Sequence, residues 1–201
     1  FGMYYTDQLV NTGQLNDVGS PLRQNVDKSY RAGIELQAAA KLTEKLNWNL
    51  NATLSQNKIL QFDELLYDYT NGFEIIETNR EDTDIALSPE TIIGSELSYE
   101  LNENIDIALL SRYIGEQYLD NSSNDASTIS SYFVNDLRVQ AVIPQKLFKE
   151  VKFQLLVNNL FNEEYSSNGY TYSYVFGEKI TENFYYPQAF RNYLIGLSLK
   201  F

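Results

Sequence analysis

Apolar and polar residues alternate one by one through most of this 201-residue chain. The clearest case is the segment 46–55, where apolar residues at the even positions alternate with Asn, Thr and Ser at the odd positions. Successive side chains of a strand point to opposite faces, so the alternation predicts strands with one apolar and one polar face. Eight strands are predicted, near 2–10, 31–38, 46–55, 90–101, 105–118, 130–143, 151–162 and 190–201.

The connections between these strands alternate in length. Short connections at 42–45, 102–104 and 144–150 alternate with long ones at 11–27, 57–88, 117–129 and 163–189. Tight turns at one end of an antiparallel sheet and long loops at the other are typical of outer-membrane barrels. The chain is therefore predicted to be all-β, with antiparallel up-and-down transmembrane β-barrel strands. A soluble β-sandwich is the alternative, but its strands are usually only about 5–6 residues long.

Composition excludes several classes of function. The chain has no Cys and no His, which leaves no thiolate or imidazole metal site, no Cys nucleophile and no Ser-His-Asp triad. The net charge of -12 argues against a nucleic-acid partner, which requires a basic surface. No phosphate-binding Gly loop is present. We therefore expect neither an enzyme nor a cofactor.

Several motifs carry a family resemblance. Val157 to Tyr165 reads VNNLFNEEY, Tyr186 to Tyr193 reads YPQAFRNY, and the last strand ends at Phe201. This order closely resembles the last two strands of TonB-dependent outer-membrane receptors, although Phe190 stands where a Gly or Ala is usual. The segments 25–35, 87–90 and 112–121 are also similar to this family, in the style of Bacteroidetes-type receptors.

The resemblance implies a 22-stranded barrel with an N-terminal plug, of which residues 1–201 would be the C-terminal portion. Because the chain opens at Phe1, at the edge of the predicted strand near 2–10 and with no initiator Met or charged leader, we expect a larger protein that includes the plug. The implied function is TonB-dependent uptake of a scarce nutrient, most often an iron-siderophore complex, with cobalamin, haem or glycan as alternatives. The implied location is the outer membrane of a Gram-negative bacterium. The implied partners are membrane lipid and lipopolysaccharide, TonB through the missing region, the small-molecule nutrient complex and a possible surface lipoprotein.

A different reading is a complete eight-stranded barrel, since eight strands are enough to close around a packed interior. Such a protein would not transport, and its Tyr-rich and acidic loops would give it a structural or adhesive role. The two hypotheses differ in whether cells that lack the protein lose growth on one limiting nutrient.

Three groups of residues are candidates for function. Aromatic residues of the 163–189 loop are candidates for ligand contact, because exposed apolar clusters tend to mark binding sites. The alternative is that these rings pack among themselves. Polar-face charges are candidates for the barrel lumen, and the C-terminal strand resembles an outer-membrane assembly signal. The candidates are Tyr170, Tyr172, Tyr174, Phe176, Tyr185 and Tyr186 for the loop, Arg31, Glu35, Arg112 and Arg138 for the lumen, and Tyr193 and Phe201 for assembly.

The 57–88 connection is strongly acidic. Eight acidic residues and a single Arg lie between Gln61 and Asp84. Such a segment could attract divalent cations, either directly or as bridges to lipopolysaccharide. A solvated external loop is the more ordinary interpretation of a charge run. The spacing matches no ordered calcium loop.

Overall fold

A computed structural model describes residues 1–145 and 147–201 of the chain. Lys146, which belongs to the predicted short connection 144–150, lies outside the described residues. Among the described residues, no helix is long and apolar enough to cross a membrane. The strands are β1 Gly2–Leu15, β2 Pro21–Lys41, β3 Leu46–Asp68, β4 Glu74–Asp84, β5 Thr91–Asn102, β6 Ile105–Ile114, β7 Gln117–Tyr118, β8 Thr128–Ile129, β9 Tyr132–Val142, β10 Glu150–Asn158, β11 Ser166–Phe176, β12 Glu178–Pro187 and β13 Asn192–Lys200.

Among the described residues, eight strands pair in antiparallel fashion in the order β1-β2-β3-β5-β6-β9-β10-β13, which we call the main sheet. The strands β4, β11 and β12 branch from β3. The eight strands of the main sheet correspond one to one with the eight predicted strands, which confirms the all-β fold class and the up-and-down connectivity. β1 and β13 are the two edges of this sheet and do not pair with each other among the described residues. An eight-stranded barrel closed by this chain alone is therefore not observed.

Cross-strand register separates the two faces as the alternation predicts. Ile34 pairs with Leu54 and Leu97 pairs with Leu109, which places apolar side chains together on one face. Glu35 pairs with Thr53 on the opposite, polar face. The apolar face also remains exposed, with Ile34 63% accessible, as expected of a sheet whose apolar face meets lipid.

The long connections contain much more β-structure than the sequence indicated. β1 and β2 continue past the predicted membrane segment to a turn at 16–20, and β3 continues to Asp68 to pair with β4. The connection 117–129 contains the β7–β8 hairpin, and 163–189 contains the β11–β12 hairpin. Treating these four segments as loops was wrong, because backbone hydrogen bonding of a hairpin does not need an apolar face. The described residues form thirteen strands rather than eight.

A small apolar core lies where these extensions leave the main sheet. It contains Val10, Val26, Ile59 and Ile85, each at most 4% exposed, with Phe62 packed against it. These residues come from β1, β2, β3 and the segment after β4. The core therefore joins three extensions into one folded layer beyond the predicted membrane segment of the sheet.

Candidate functional site

A groove of about 630 Å³ opens between the turn of the β1–β2 hairpin, the end of β3 and the strand β11. Its volume lies in the range of small-molecule sites. We call it the aromatic groove. It is lined by Gln14, Leu15, Asn16, Asp17, Val18, Leu22, Tyr67, Tyr69, Tyr172, Ser173, Tyr174 and Glu182.

Four tyrosines give the groove its aromatic character. Tyr172 and Tyr174 lie two residues apart on β11, so their side chains project from the same face of that strand. The Tyr174 ring meets the Tyr69 ring edge to face, with centroids 6.3 Å apart. The Tyr172 hydroxyl donates to the Leu15 carbonyl at 3.1 Å, which ties β11 to the β1–β2 hairpin.

Only part of the predicted aromatic set reaches the groove. Tyr172 and Tyr174 line it, whereas Tyr170 stacks on Phe184 with centroids 4.9 Å apart and planes at 10°. Tyr186 lies against Tyr170 with ring centroids 5.8 Å apart. The other two predicted residues also lie outside the groove lining: the Tyr185 hydroxyl donates to the Thr128 carbonyl at 3.0 Å, and Phe176 is 62% exposed at the hairpin tip.

Sequence reasoning missed Tyr67, Tyr69 and the β1–β2 turn. The two tyrosines belong to the 57–88 connection, whose most prominent sequence feature is its acidic charge. The signal that could have found them is aromatic: Tyr67, Tyr69 and Phe73 lie within seven residues, and both tyrosine rings pack against Phe73. No local pattern connects them with β11, because their meeting depends on a parallel pairing of Tyr67 with Tyr174.

Polar contacts fix the β11–β12 hairpin against the β3–β4 hairpin. The Tyr69 amide donates to the Val175 carbonyl at 2.9 Å, and the Gly177 amide donates to the Thr70 hydroxyl at 2.8 Å. Lys179 of β12 contacts Glu64 of β3 at 3.1 Å. One wall of the aromatic groove is therefore held by backbone bonds as well as by an ion pair.

The acidic segment is partly neutralised by its own neighbours. Arg80 donates twice to Glu64, at 2.8 and 2.6 Å, and Lys179 contacts the other oxygen of the same carboxylate. Lys58 pairs with Asp84 at 2.8 Å. Within residues 1–145 and 147–201, no group of three or more acidic side chains has the geometry to hold a metal ion. Attraction of divalent cations by this segment stays a prediction.

Asn121 connects three segments of the folded layer beside the groove: its own 117–129 connection, β1 and the segment after β4. Its amide group donates to the Asn11 carbonyl at 2.7 Å, and its oxygen accepts from the Ala86 amide at 2.8 Å. The side chain is almost fully buried, at 2% exposure. Burial also raises the pKa of the neighbouring Asp120 carboxyl, although hydrogen bonds from Ser122 oppose the shift.

The predicted lumen residues lie together on the polar face of the main sheet. Arg31 donates to Asn57 at 3.1 Å and to Ser88 at 3.2 Å. Arg138 pairs with Glu96 at 2.6 Å. Arg112 lines a groove of about 410 Å³ on this face, and Glu35 pairs with Thr53 across β2 and β3. Contact of these residues with a plug or a ligand stays a prediction.

The C-terminal strand pairs with β10 along its whole length, with Tyr193 opposite Val157. Tyr193 is 65% exposed on the apolar face, and the Phe201 ring meets Phe148 edge to face at 5.1 Å between centroids. A role of these two residues in membrane assembly stays a prediction.

Comparison with known proteins identifies solved structures that share this fold. No curated protein matches the chain in sequence. Solved structures match its fold. The siderophore receptor PiuA from Acinetobacter baumannii matches with a TM-score of 0.62 and 15% identity, and the match covers 98% of this chain and 24% of that one. The ferric-catecholate import receptor Fiu from E. coli K12 has a TM-score of 0.59, 19% identity and coverages of 96% and 23%, and the copper transporter OprC has a TM-score of 0.60, 18% identity and coverages of 96% and 27%.

The chain spans about a quarter of the length of these structures. At such identities they show the fold alone. The family model described as TonB dependent receptor-like, beta-barrel matches residues 1–160. Together with the uninterrupted eight-stranded sheet, this match shows that the chain belongs to the TonB-dependent receptor β-barrel family.

Proposed function

We propose that this chain is part of an outer-membrane importer that takes up a scarce nutrient and contacts it at the aromatic groove. Receptors of this family are outer-membrane proteins of Gram-negative bacteria that bind small-molecule ligands and interact with TonB; they are transporters rather than enzymes. The observation that carries the proposal is the groove itself: a 630 Å³ concavity lies among the hairpins beyond the predicted membrane segment.

The placement of the groove suits capture of a ligand from outside the cell. The long hairpins all leave the same end of the main sheet, and an outer-membrane barrel turns this end outward. Tyr172 and Tyr174 offer flat apolar surfaces, while Asn16 and Gln14 offer hydrogen-bonding groups. Apolar rings with a few placed polar groups are typical of small-molecule sites.

An iron-siderophore complex is the nutrient that we favour. The matched structures include a siderophore receptor and a ferric-catecholate import receptor, and this similarity supports the choice at the level of fold. Cobalamin, haem and glycan are the alternatives. Energy for release of the ligand would come through TonB, which would contact a region outside residues 1–201. A surface lipoprotein that covers the hairpins is a further proposed partner.

A structural or adhesive barrel is the competing function. It would require a small closed barrel, whereas β1 and β13 remain unpaired with each other among the described residues. The exposed aromatic rings of Phe176 and Phe184 at the β11–β12 hairpin are the observation that would favour adhesion.

Uptake by cells tests the proposal. A strain that lacks the gene should lose growth on one limiting nutrient, with iron complexes tested first, and the native gene should restore growth. A gene carrying both Tyr172→Leu and Tyr174→Leu should restore growth poorly at equal surface abundance. Phe176→Leu is the matched control, because this ring lies outside the groove lining. Normal growth of the deletion strain on all limiting nutrients, together with poor surface attachment, would instead support the adhesive function.

A further inference from the structure

We infer that the aromatic groove receives a positively charged group of the ligand, of the ammonium class. This inference rests on the proposed function, since it concerns the chemical class of the ligand that the importer takes. Three observations support it. The charged side chains that line the groove are negative, two neighbouring basic side chains are already paired with another carboxylate, and aromatic rings line the same groove as the carboxylates.

The charges that line the groove are all negative. Within residues 1–145 and 147–201, its lining includes the carboxylates Asp17 and Glu182 and contains no Lys or Arg. Neither carboxylate belongs to an ion pair among the described residues. With a net charge of -12 on the whole chain, the field at this site attracts cations and repels anions.

Two basic side chains of the neighbouring hairpins are paired with a carboxylate that does not line the groove. Lys179 and Arg80 both contact the Glu64 carboxylate, which is only 11% exposed. Because Glu64 engages both cations, they are not free to neutralise Asp17 or Glu182. The groove therefore keeps its negative charge when it is empty.

The tyrosine rings supply the second attraction. A cation near the face of an aromatic ring is attracted by the negative potential of that face, and aromatic sites recognise quaternary ammonium groups in this way. Tyr67, Tyr69, Tyr172 and Tyr174 all line the groove beside the two carboxylates. A ligand whose only charges are negative would gain from neither feature, so within the favoured siderophore class the inference selects complexes that carry an ammonium group. A neutral sugar could stack on the rings, but it would gain nothing from the net charge.

Three probes of nearly equal shape separate these cases. Choline carries a positive charge, 3,3-dimethylbutan-1-ol is its neutral isostere, and 3,3-dimethylbutanoate is a comparable anion. Binding to the native full-length protein in detergent micelles is measured by ligand-observed NMR at low and at physiological salt. Choline should bind at least about three-fold more tightly than the alcohol, and the anion should bind most weakly. The preference should diminish as salt rises.

Variants assign the effect to the groove. Glu182→Gln should weaken choline binding about three- to five-fold and leave the alcohol unchanged. Tyr174→Leu should weaken choline by a similar factor. Glu178→Gln is the matched control, because this exposed carboxylate lies on the same hairpin outside the groove lining. A choline affinity that falls equally in both Glu variants would show a general surface effect and would overturn the assignment to the groove.

The outcomes separate this inference from the proposed function. If the neutral alcohol binds as tightly as choline, or if choline does not bind at all, the cation inference is wrong. Uptake by cells that still depends on Tyr172 and Tyr174 would leave the importer proposal standing in that case. Loss of both the choline preference and the growth phenotype would overturn the two proposals together.

Discussion

Replacement of Asn121 by Ala is expected to loosen the folded layer that forms the aromatic groove. The side chain bridges the Asn11 carbonyl and the Ala86 amide across 110 and 35 residues of sequence, at 2.7 and 2.8 Å. Ala at 121 satisfies neither group. The Ala86 amide is buried with its residue, at 6% exposure, whereas Asn11 is half-buried and could bond water.

The size of the effect follows from the two lost bonds. A buried polar group left without a partner costs about 1–3 kcal/mol, and the half-buried carbonyl should cost less. We therefore expect about 2–4 kcal/mol for local opening of the layer. A cost of about 3 kcal/mol would raise the population of the open state by roughly 150-fold, since about 1.4 kcal/mol corresponds to a factor of ten.

Hydrogen–deuterium exchange with mass spectrometry measures this opening in the native protein in micelles. Peptides that cover 84–88 and 8–14 should exchange faster in Asn121→Ala, while peptides of β9 and β10 should not change. Asn121→Asp divides the two bonds, because Asp still accepts from the Ala86 amide but cannot donate to Asn11; only the 8–14 peptide should then respond strongly. Asn25→Ala, at an exposed position of β2, is the control. Unchanged exchange in Asn121→Ala would refute the reasoning.

Three further substitutions test the same layer by exchange or by thermal unfolding. Gly13→Ala should destabilise it, because Gly13 has φ of 88° and an added Cβ would lie 2.4 Å from the Leu119 carbonyl oxygen; a wild-type unfolding temperature would contradict this. Ile59→Ala should cost about 2–5 kcal/mol, because Ile59 is fully buried in the apolar core, and a cost below about 1 kcal/mol would argue against that core. Asp120→Asn should slow hydrogen exchange in the 117–129 segment at neutral pH, because the pKa of Asp120 is raised in the folded protein. The stability that this carboxyl contributes is complete below its unfolded pKa of about 3.9 and is lost as pH rises through the folded pKa. The gain should therefore vanish at acidic pH, and an equal gain at both pH values would contradict the explanation.

The main sheet was predictable from sequence because each of its strands is two-sided. Leu46 to Ser55 alternate without a break, and the structure pairs this segment with β2 and β5. Trp48 lies opposite Leu97 and Asn49 opposite Glu96, although Leu50 lies opposite Ser95. The membrane imposes this pattern, since a lipid-facing surface must be apolar and the opposite surface need not be. The strict alternation of long and short connections then predicted which strands are adjacent in the sheet.

The hairpin layer was not predictable in the same way. The pairing of Phe62 to Asp68 with β4 puts Leu65 opposite Glu77 and Leu66 opposite Ile76, so apolar and charged side chains share this hairpin without a period of two. Both faces of such a hairpin contact other hairpins or water, so neither face is required to be uniformly apolar. The groove depends on contacts between segments more than 100 residues apart, such as Tyr172 with Leu15, for which no local pattern exists.

Tyr172 shows why the groove and the layer cannot be considered separately. Its ring lines the groove, and its hydroxyl donates to the Leu15 carbonyl, which belongs to the opposite wall. The next ring on its strand, Tyr170, packs against it edge to face at 5.7 Å and fixes its position from the other side. A ligand that enters the groove therefore meets a side chain that also sets the distance between β11 and the β1–β2 hairpin. Any displacement of Tyr172 by a ligand must be shared with that hairpin, whose base is anchored in the core at Val10 and Val26.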